Sequence, residues 1–151
     1  MVSEENKAVV RRVIEEVVNG GNLDAVEELF AEDYVDHTLR PGGSHREGLK
    51  EHYSAIRAAF PDWHTSGEYL SAEGGRVVYR GTNSGTHRGE FMGLSPTGKR
   101  YSVEEIRIYR ICEGKVAEHW GLLAMMRLMK QLGATIGGGA GSVGQSGEAV
   151  T

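Results

Sequence analysis

A chain of 151 residues with 39% hydrophobic and 25% charged residues has the composition of an ordinary globular domain, which excludes a disordered polymer and a membrane-embedded protein. The formal net charge of −4, with lysines and arginines scattered along the chain, argues against a nucleic-acid partner. The lone Cys112 cannot close an internal disulfide, and the acidic start Met1-Val2-Ser3-Glu4-Glu5 lacks the apolar run of a signal or a spanning helix, so a cytoplasmic protein is expected.

In chain order, Ser3 is placed to cap a first helix, with Glu4 and Glu5 in its dipole-favoured first turn. Val9, Val10, Val13, Ile14, Val17 and Val18 recur at helical spacing, and Asn19-Gly20-Gly21 stops the run. A second short helix is predicted from about Asn22 to Phe30, pairing with the first as a hairpin. Tyr34 to Thr38 has strand composition, Pro41-Gly42-Gly43 reads as a turn, and Leu49, Tyr53, Ile56 and Phe60 mark a third helix that ends before Pro61.

Extended segments follow: Trp63 to Ala72, Arg76 to His87, Tyr101 to Cys112 and Lys115 to Leu122. Glu73-Gly74-Gly75 and Glu113-Gly114 are tight connections of the kind that join antiparallel neighbours, so these strands should form a meander. Between them, Gly89 to Gly98 is rich in turn formers, and its Phe91, Met92 and Leu94 are expected at a pocket mouth. A last helix is predicted over Leu122 to Leu132, stopped by Gly133. Residues 1–133 are thus expected to be one domain, and the glycine-rich stretch 134–151 a disordered tail that cannot offset its ordering entropy by burial. Helices first and an antiparallel sheet after is an α+β arrangement.

Four blocks in this order carry a resemblance: Asp33-Tyr34-Val35-Asp36-His37, Phe60-Pro61-Asp62-Trp63-His64, Gly85 to Lys99, and Gly114-Lys115-Val116-Ala117-Glu118-His119-Trp120. Together they resemble the SnoaL-like polyketide (ester) cyclases of the nuclear-transport-factor-two-like superfamily, over Glu4 to Gly133. The resemblance implies a cone-shaped, curved antiparallel sheet around an apolar pocket, packed against the N-terminal helices. It also implies cofactor-free ring closure, by intramolecular aldol chemistry, on a hydrophobic polyketide ester, and a homo-oligomer, commonly a dimer or tetramer. The superfamily also holds isomerases, epoxide hydrolases, dehydratases and non-catalytic proteins, so function has to be read from the site. In members of the family an aspartate acting as acid/base commonly follows the His-Trp pair by about one helical turn. The corresponding residue here is Ala124, which cannot transfer a proton.

Aldol closure needs a base, donors for the enolate oxygen and an apolar cavity that holds the substrate folded. His119 and His37 are the acid/base candidates, although an imidazole beside a strand also serves as a hydrogen-bonded structural residue. Glu105 and Arg107 read either as a buried base with its orienting cation or as a solvated ion pair. Tyr34, Trp63, Phe91, Met92, Trp120 and Met125 are candidate pocket walls. No short ligand spacing links His37, His64, His87 and His119, so no metal is expected, nor any cofactor. A two-residue turn at Glu113-Gly114 predicts that Tyr109 pairs with Glu118 and Arg107 with Trp120, and the Arg107/Trp120 face is taken as the pocket face. Three functions follow: a cyclase or isomerase, aldol or pericyclic; a non-catalytic binder of small hydrophobic ligands that has lost the family acid; or a hydrolase or dehydratase, for which Glu105 or Glu118 would have to position the water.

Overall fold

The valine-rich start folds into helix α1 (Val2–Arg12), which runs on as a wider π-helical stretch, Val13–Asn19, and buries Val10, Val13, Ile14, Val17 and Val18. Ser3 lies inside the first turn and not before it. Gly20 closes the run, and glycine is needed there because a Cβ would stand 2.7 Å from the Glu16 carbonyl oxygen. The coordinates, a computed structural model, describe residues 2–39 and 45–134. The predicted turn at Pro41-Gly42-Gly43 and residues 135–151 of the glycine-rich tail lie outside the described residues.

The second helix is shorter than its pattern: a single tight turn, Leu23–Ala25, leads into α2 (Val26–Leu29), and Phe30 is already extended. Strand β1 (Phe30–Asp36) starts there, drawn out of the helix by burial of Phe30 and Tyr34, whose rings meet edge to face at 4.8 Å. Helix α3 (Arg46–Ala59) buries Leu49 and Tyr53 and stops before Pro61. Strands β2 (His64–Glu73), β3 (Arg76–Thr86), β4 (Arg100–Cys112) and β5 (Lys115–Leu123) form the expected meander, followed by α4 (Met125–Gln131).

The sheet order is β1-β5-β4-β3-β2, and β1 runs parallel to β5, so the five-stranded sheet is mixed where the sequence predicted an antiparallel one. The β1–β5 pair joins distant parts of the chain, and no hairpin fixes its direction. The β4–β5 turn places Glu113 and Gly114 at positive φ, 51° and 78°, as a two-residue hairpin requires. Beyond it the predicted register fails: Ile111 faces Val116, but Arg110 then faces Glu118, Tyr109 faces His119 and Ile108 faces Trp120. Ala117 is the extra residue of a bulge, and one extra residue moves every later β5 side chain to the opposite face.

The sheet's inner face carries Tyr79, Tyr101, Glu105, Arg107 and Tyr109, all buried against the helices, whereas Ile106 and Leu122 are exposed on the outer face. Between β3 and β4 the chain closes on itself, with His87 N–H donating to Lys99 O at 2.8 Å and Gly98 N–H to His87 O at 2.9 Å. Arg88 and Gly89 N–H both reach Ala59 O at the end of α3, at 2.9 and 3.0 Å. Glycine is required at 89, since a Cβ would lie 2.5 Å from the Ala58 carbonyl oxygen. No helix among the described residues is long and apolar enough to cross a membrane.

Candidate active site

A cavity of about 770 Å³ opens between the inner face of the sheet, α3, the β3–β4 connection and the start of α4. Its walls are mostly apolar, with Ile56, Phe60, Trp63, Phe91, Leu123 and Leu128 among them. Edge-to-face contacts set the walls: Tyr53 against Trp63 at 5.1 Å, and Phe60 against Phe91 at 4.9 Å and Tyr101 at 5.0 Å. A concave, mostly apolar cavity of this size with a few polar groups is the usual form of a small-molecule site.

Two polar clusters built on charged side chains interrupt the apolar lining, beside Thr38, His52 and Asn83. The first is built on the β1–β5 pair, which sets Asp36 directly opposite His119. Asp36 Oδ2 accepts the Tyr34 hydroxyl at 2.6 Å and faces His119 Nδ1 at 3.0 Å, while Oδ1 accepts the Thr38 N–H at 2.9 Å. Burial pushes the Asp36 carboxyl up, but the His119 hydrogen bond and charge, with Tyr34 and Thr38, outweigh it and hold the group at about 2. Ionised Asp36 can only accept at Nδ1, so the neutral form of the His119 imidazole carries its proton on Nδ1 and its lone pair on Nε2. That nitrogen is buried and has no hydrogen-bond partner among the described residues, on a residue that lines the cavity.

The same contacts imply a pH dependence of stability. The folded Asp36 titrates near 2 and the free side chain near 3.8, so its contribution is complete above about pH 4 and is lost as the pH falls toward 2. We expect urea unfolding to show this loss, about 2 kcal/mol in size, and to show it removed in Asp36→Asn.

The second polar group lies on β4. Arg107 donates from Nε to Glu105 Oε1 at 2.9 Å and from Nη1 to the hydroxyls of Tyr53 at 3.1 Å and Tyr109 at 3.3 Å. Glu105 Oε2 accepts from Thr65 Oγ1 at 2.5 Å, and Thr65 Oγ1 accepts from the Tyr79 hydroxyl at 2.8 Å. Burial lowers the guanidinium's affinity for its proton, but Glu105 and the two phenol oxygens more than reverse this, so Arg107 stays a cation. The ring of Tyr109 also packs on His119, with centroids 4.8 Å apart, and so touches both polar groups. Asn83 Oδ1 adds a third anchor, accepting Trp63 Nε1 at 3.1 Å and the Tyr101 hydroxyl at 2.5 Å.

Of the residues singled out from the sequence, His119, Arg107, Trp63, Phe91, Met92 and Met125 line the cavity. Glu105 is buried behind Arg107, and Tyr34 is buried behind Asp36. His37 and Trp120 do not belong there. The Ala117 bulge turns Trp120 to the outer face, where His37 stacks on it at 4.8 Å and the Arg76 guanidinium sits 5.7 Å from its ring centroid. His37 Nε2 is bonded to Glu118 Oε2 at 2.7 Å, on the same outer side. The pocket face is therefore the Arg107/His119 face, and not the Arg107/Trp120 face.

Sequence reasoning passed over Asp36, Tyr53, Tyr109, Asn83 and Thr65. The alternation Tyr34-x-Asp36 and Glu105-x-Arg107-x-Tyr109, polar groups on the side opposite to Ile106 and Ile108, is the signal that points to two of them, Asp36 and Tyr109. Ala124 sits between the lining residues Leu123 and Met125 at the start of α4.

A family model described as SnoaL-like polyketide cyclase matches residues 8–132. Nogalonic acid methyl ester cyclase of Streptomyces nogalater is 28% identical over 123 residues, which span 76% of this chain and 88% of that protein. Aklanonic acid methyl ester cyclase DauD of Streptomyces sp. (strain C5) is 31% identical over 140 residues, 83% of this chain and 80% of its own. Among solved structures, wild-type IdmH of Streptomyces antibioticus superposes with a TM-score of 0.75 at 28% identity, covering 85% of this chain and 99% of that one. TsrD of Streptomyces laurentii gives a TM-score of 0.75 at 27% identity, with 84% and 96% covered.

Proposed function

The chain belongs to the SnoaL-like polyketide cyclase family, and we propose that it closes a ring in a neutral aromatic polyketide ester by an intramolecular aldol step in which His119 is the base. The observation that carries this reading is the Asp36–His119 pair at an apolar cavity, in a chain whose Ala124 cannot supply the carboxyl expected there. The proton on the activated carbon passes to His119 Nε2, and the electron pair it leaves becomes the enolate. The enolate carbon bonds to a carbonyl carbon of the same molecule, and that carbonyl oxygen takes the proton back from Nε2, so substrate and product have the same mass. Asp36 supports the imidazolium in between and keeps Nδ1 protonated throughout. The walls hold the chain folded, which converts the encounter of two carbons into a unimolecular event.

Incubating the protein with aklanonic acid methyl ester, the kind of substrate named for the relatives, tests this. Expected is a product of unchanged mass and new absorbance, formed with saturation kinetics. Saturable binding of an ester that is recovered unchanged would overturn the cyclase reading in favour of a hydrophobic-ligand carrier. Ala124→Asp then separates a degraded scaffold from a true carrier, since only the former gains turnover.

A further inference from the structure

Proton removal by His119 places negative charge on a substrate oxygen inside a cavity that offers few groups to meet it. Among the described residues lining that cavity, Arg107 is the sole arginine or lysine. We propose that Arg107 is a catalytic residue that holds this enolate oxygen, with the Tyr53 hydroxyl as second donor, and that Glu105 and Thr65 are the residues that position it. This deepens the cyclase reading and rests on it for the identity of the reaction.

The guanidinium is held from behind. Nε is committed to Glu105 and Nη1 to the two phenol oxygens, and Nη2 is outside that set. Glu105 is held in turn by Thr65. The backbone of Thr65 is clamped by Asn19, whose Oδ1 accepts the Thr65 N–H at 2.8 Å and whose Nδ2 donates to the Thr65 carbonyl at 2.9 Å. The positioning chain thus runs from the end of the N-terminal π-helical stretch to the cavity. Because Tyr53 accepts from Arg107, its own hydroxyl hydrogen is left to donate, and Tyr53 lines the cavity. Burial raises the Tyr53 phenol, which keeps that hydrogen in place.

The transfer leaves the net charge of the site unchanged. With His119 neutral, the fixed charges are Asp36, Glu105 and Arg107. When the proton moves to His119, the imidazolium is paired with Asp36 and the new enolate faces the cation already paired with Glu105. A donor preset in a water-poor cavity is worth more to a charge that develops during the reaction than the same donor in water.

A binding measurement that needs no turnover tests this. Benzoylacetone is a β-diketone whose enolate absorbs at longer wavelength than its enol, so its ionisation on the full-length protein can be titrated by absorbance. The wild type should lower its apparent pKa by about 1–2 units. Arg107→Met should abolish the shift, and Tyr53→Phe and Thr65→Val should each reduce it. Thr65→Ser, which keeps the hydroxyl on Glu105, should preserve it. In ester turnover, Thr65→Val should lower kcat with KM unchanged.

Should Arg107→Met fail to fold, the Thr65 and Tyr53 variants still decide. Failure of the diketone to bind, a wild-type pKa equal to that in solution, or equal losses in Thr65→Ser and Thr65→Val would overturn the proposal. A lowered diketone pKa without ring closure on the ester would sink the cyclase reading and leave Arg107 as an enolate-binding group. Ring closure with an unshifted diketone would do the reverse.

Discussion

Replacing His119 with alanine is expected to lower kcat for ring closure by about 10²–10⁴-fold, the usual worth of a positioned general base. KM should change little, because the apolar walls that bind the substrate are untouched. Without the imidazole, Asp36 keeps Tyr34 and Thr38 as partners, and those two donors still satisfy the carboxylate. Asp36→Asn should give a smaller but still large loss: the amide can donate to Nδ1, which would drive the imidazole proton to Nε2 and turn a base into a donor. Single-turnover rates of both variants, with circular dichroism to confirm folding, measure this. A loss of only a few-fold in both would mean that the cavity works by orienting a reactive chain, as in a pericyclic closure, and would remove proton transfer from the mechanism.

Glu105→Ala should cost about 3–5 kcal/mol of folding stability, read as a lower urea midpoint. Glu105 and Arg107 are 2% and 4% exposed, so deleting the carboxylate strands a guanidinium where water cannot replace the lost partner. The double variant Glu105→Ala/Arg107→Met should be more stable than Glu105→Ala alone, because it removes the unpaired charge together with its former partner. If the single variant instead unfolded like the wild type, the pair would have to be accessible to water, contrary to its burial.

Much of the fold was legible because its signals are local. Helical spacing in α1 and α3, the glycines of the two hairpins and the breaks at Gly20, Pro61 and Gly133 each act over a few residues, and each stands where expected. The parallel β1–β5 pair was not legible, since it joins segments some 80 positions apart in sequence (Asp36 with His119) that no turn chemistry links. The site was lost on the same scale. His119 and Trp120 are neighbours whose roles depend on one bulged residue, Ala117, and a small residue followed by Glu118 gives no sequence sign of a bulge. Extrapolating a regular ladder from the turn put the indole in the cavity and the imidazole outside it. Asp36 was passed over because its importance comes from facing His119 across strands, and not from any neighbour in the chain.

The closed connection between β3 and β4 has a separate implication for how such a protein can diversify. Its two ends are tied to each other through His87, Thr97, Gly98 and Lys99 and moored to the end of α3 through Ala59, so residues 90–96 hang from a fixed frame. Within it, Phe91 and Met92 reach the entrance of the cavity. Changes of length or bulk there can be absorbed without moving β3 or β4, the strand that carries Glu105 and Arg107. The fold thus keeps the two parts of the cavity on separate stretches of chain: Phe91 and Met92 on the tethered connection, Glu105 and Arg107 on β4.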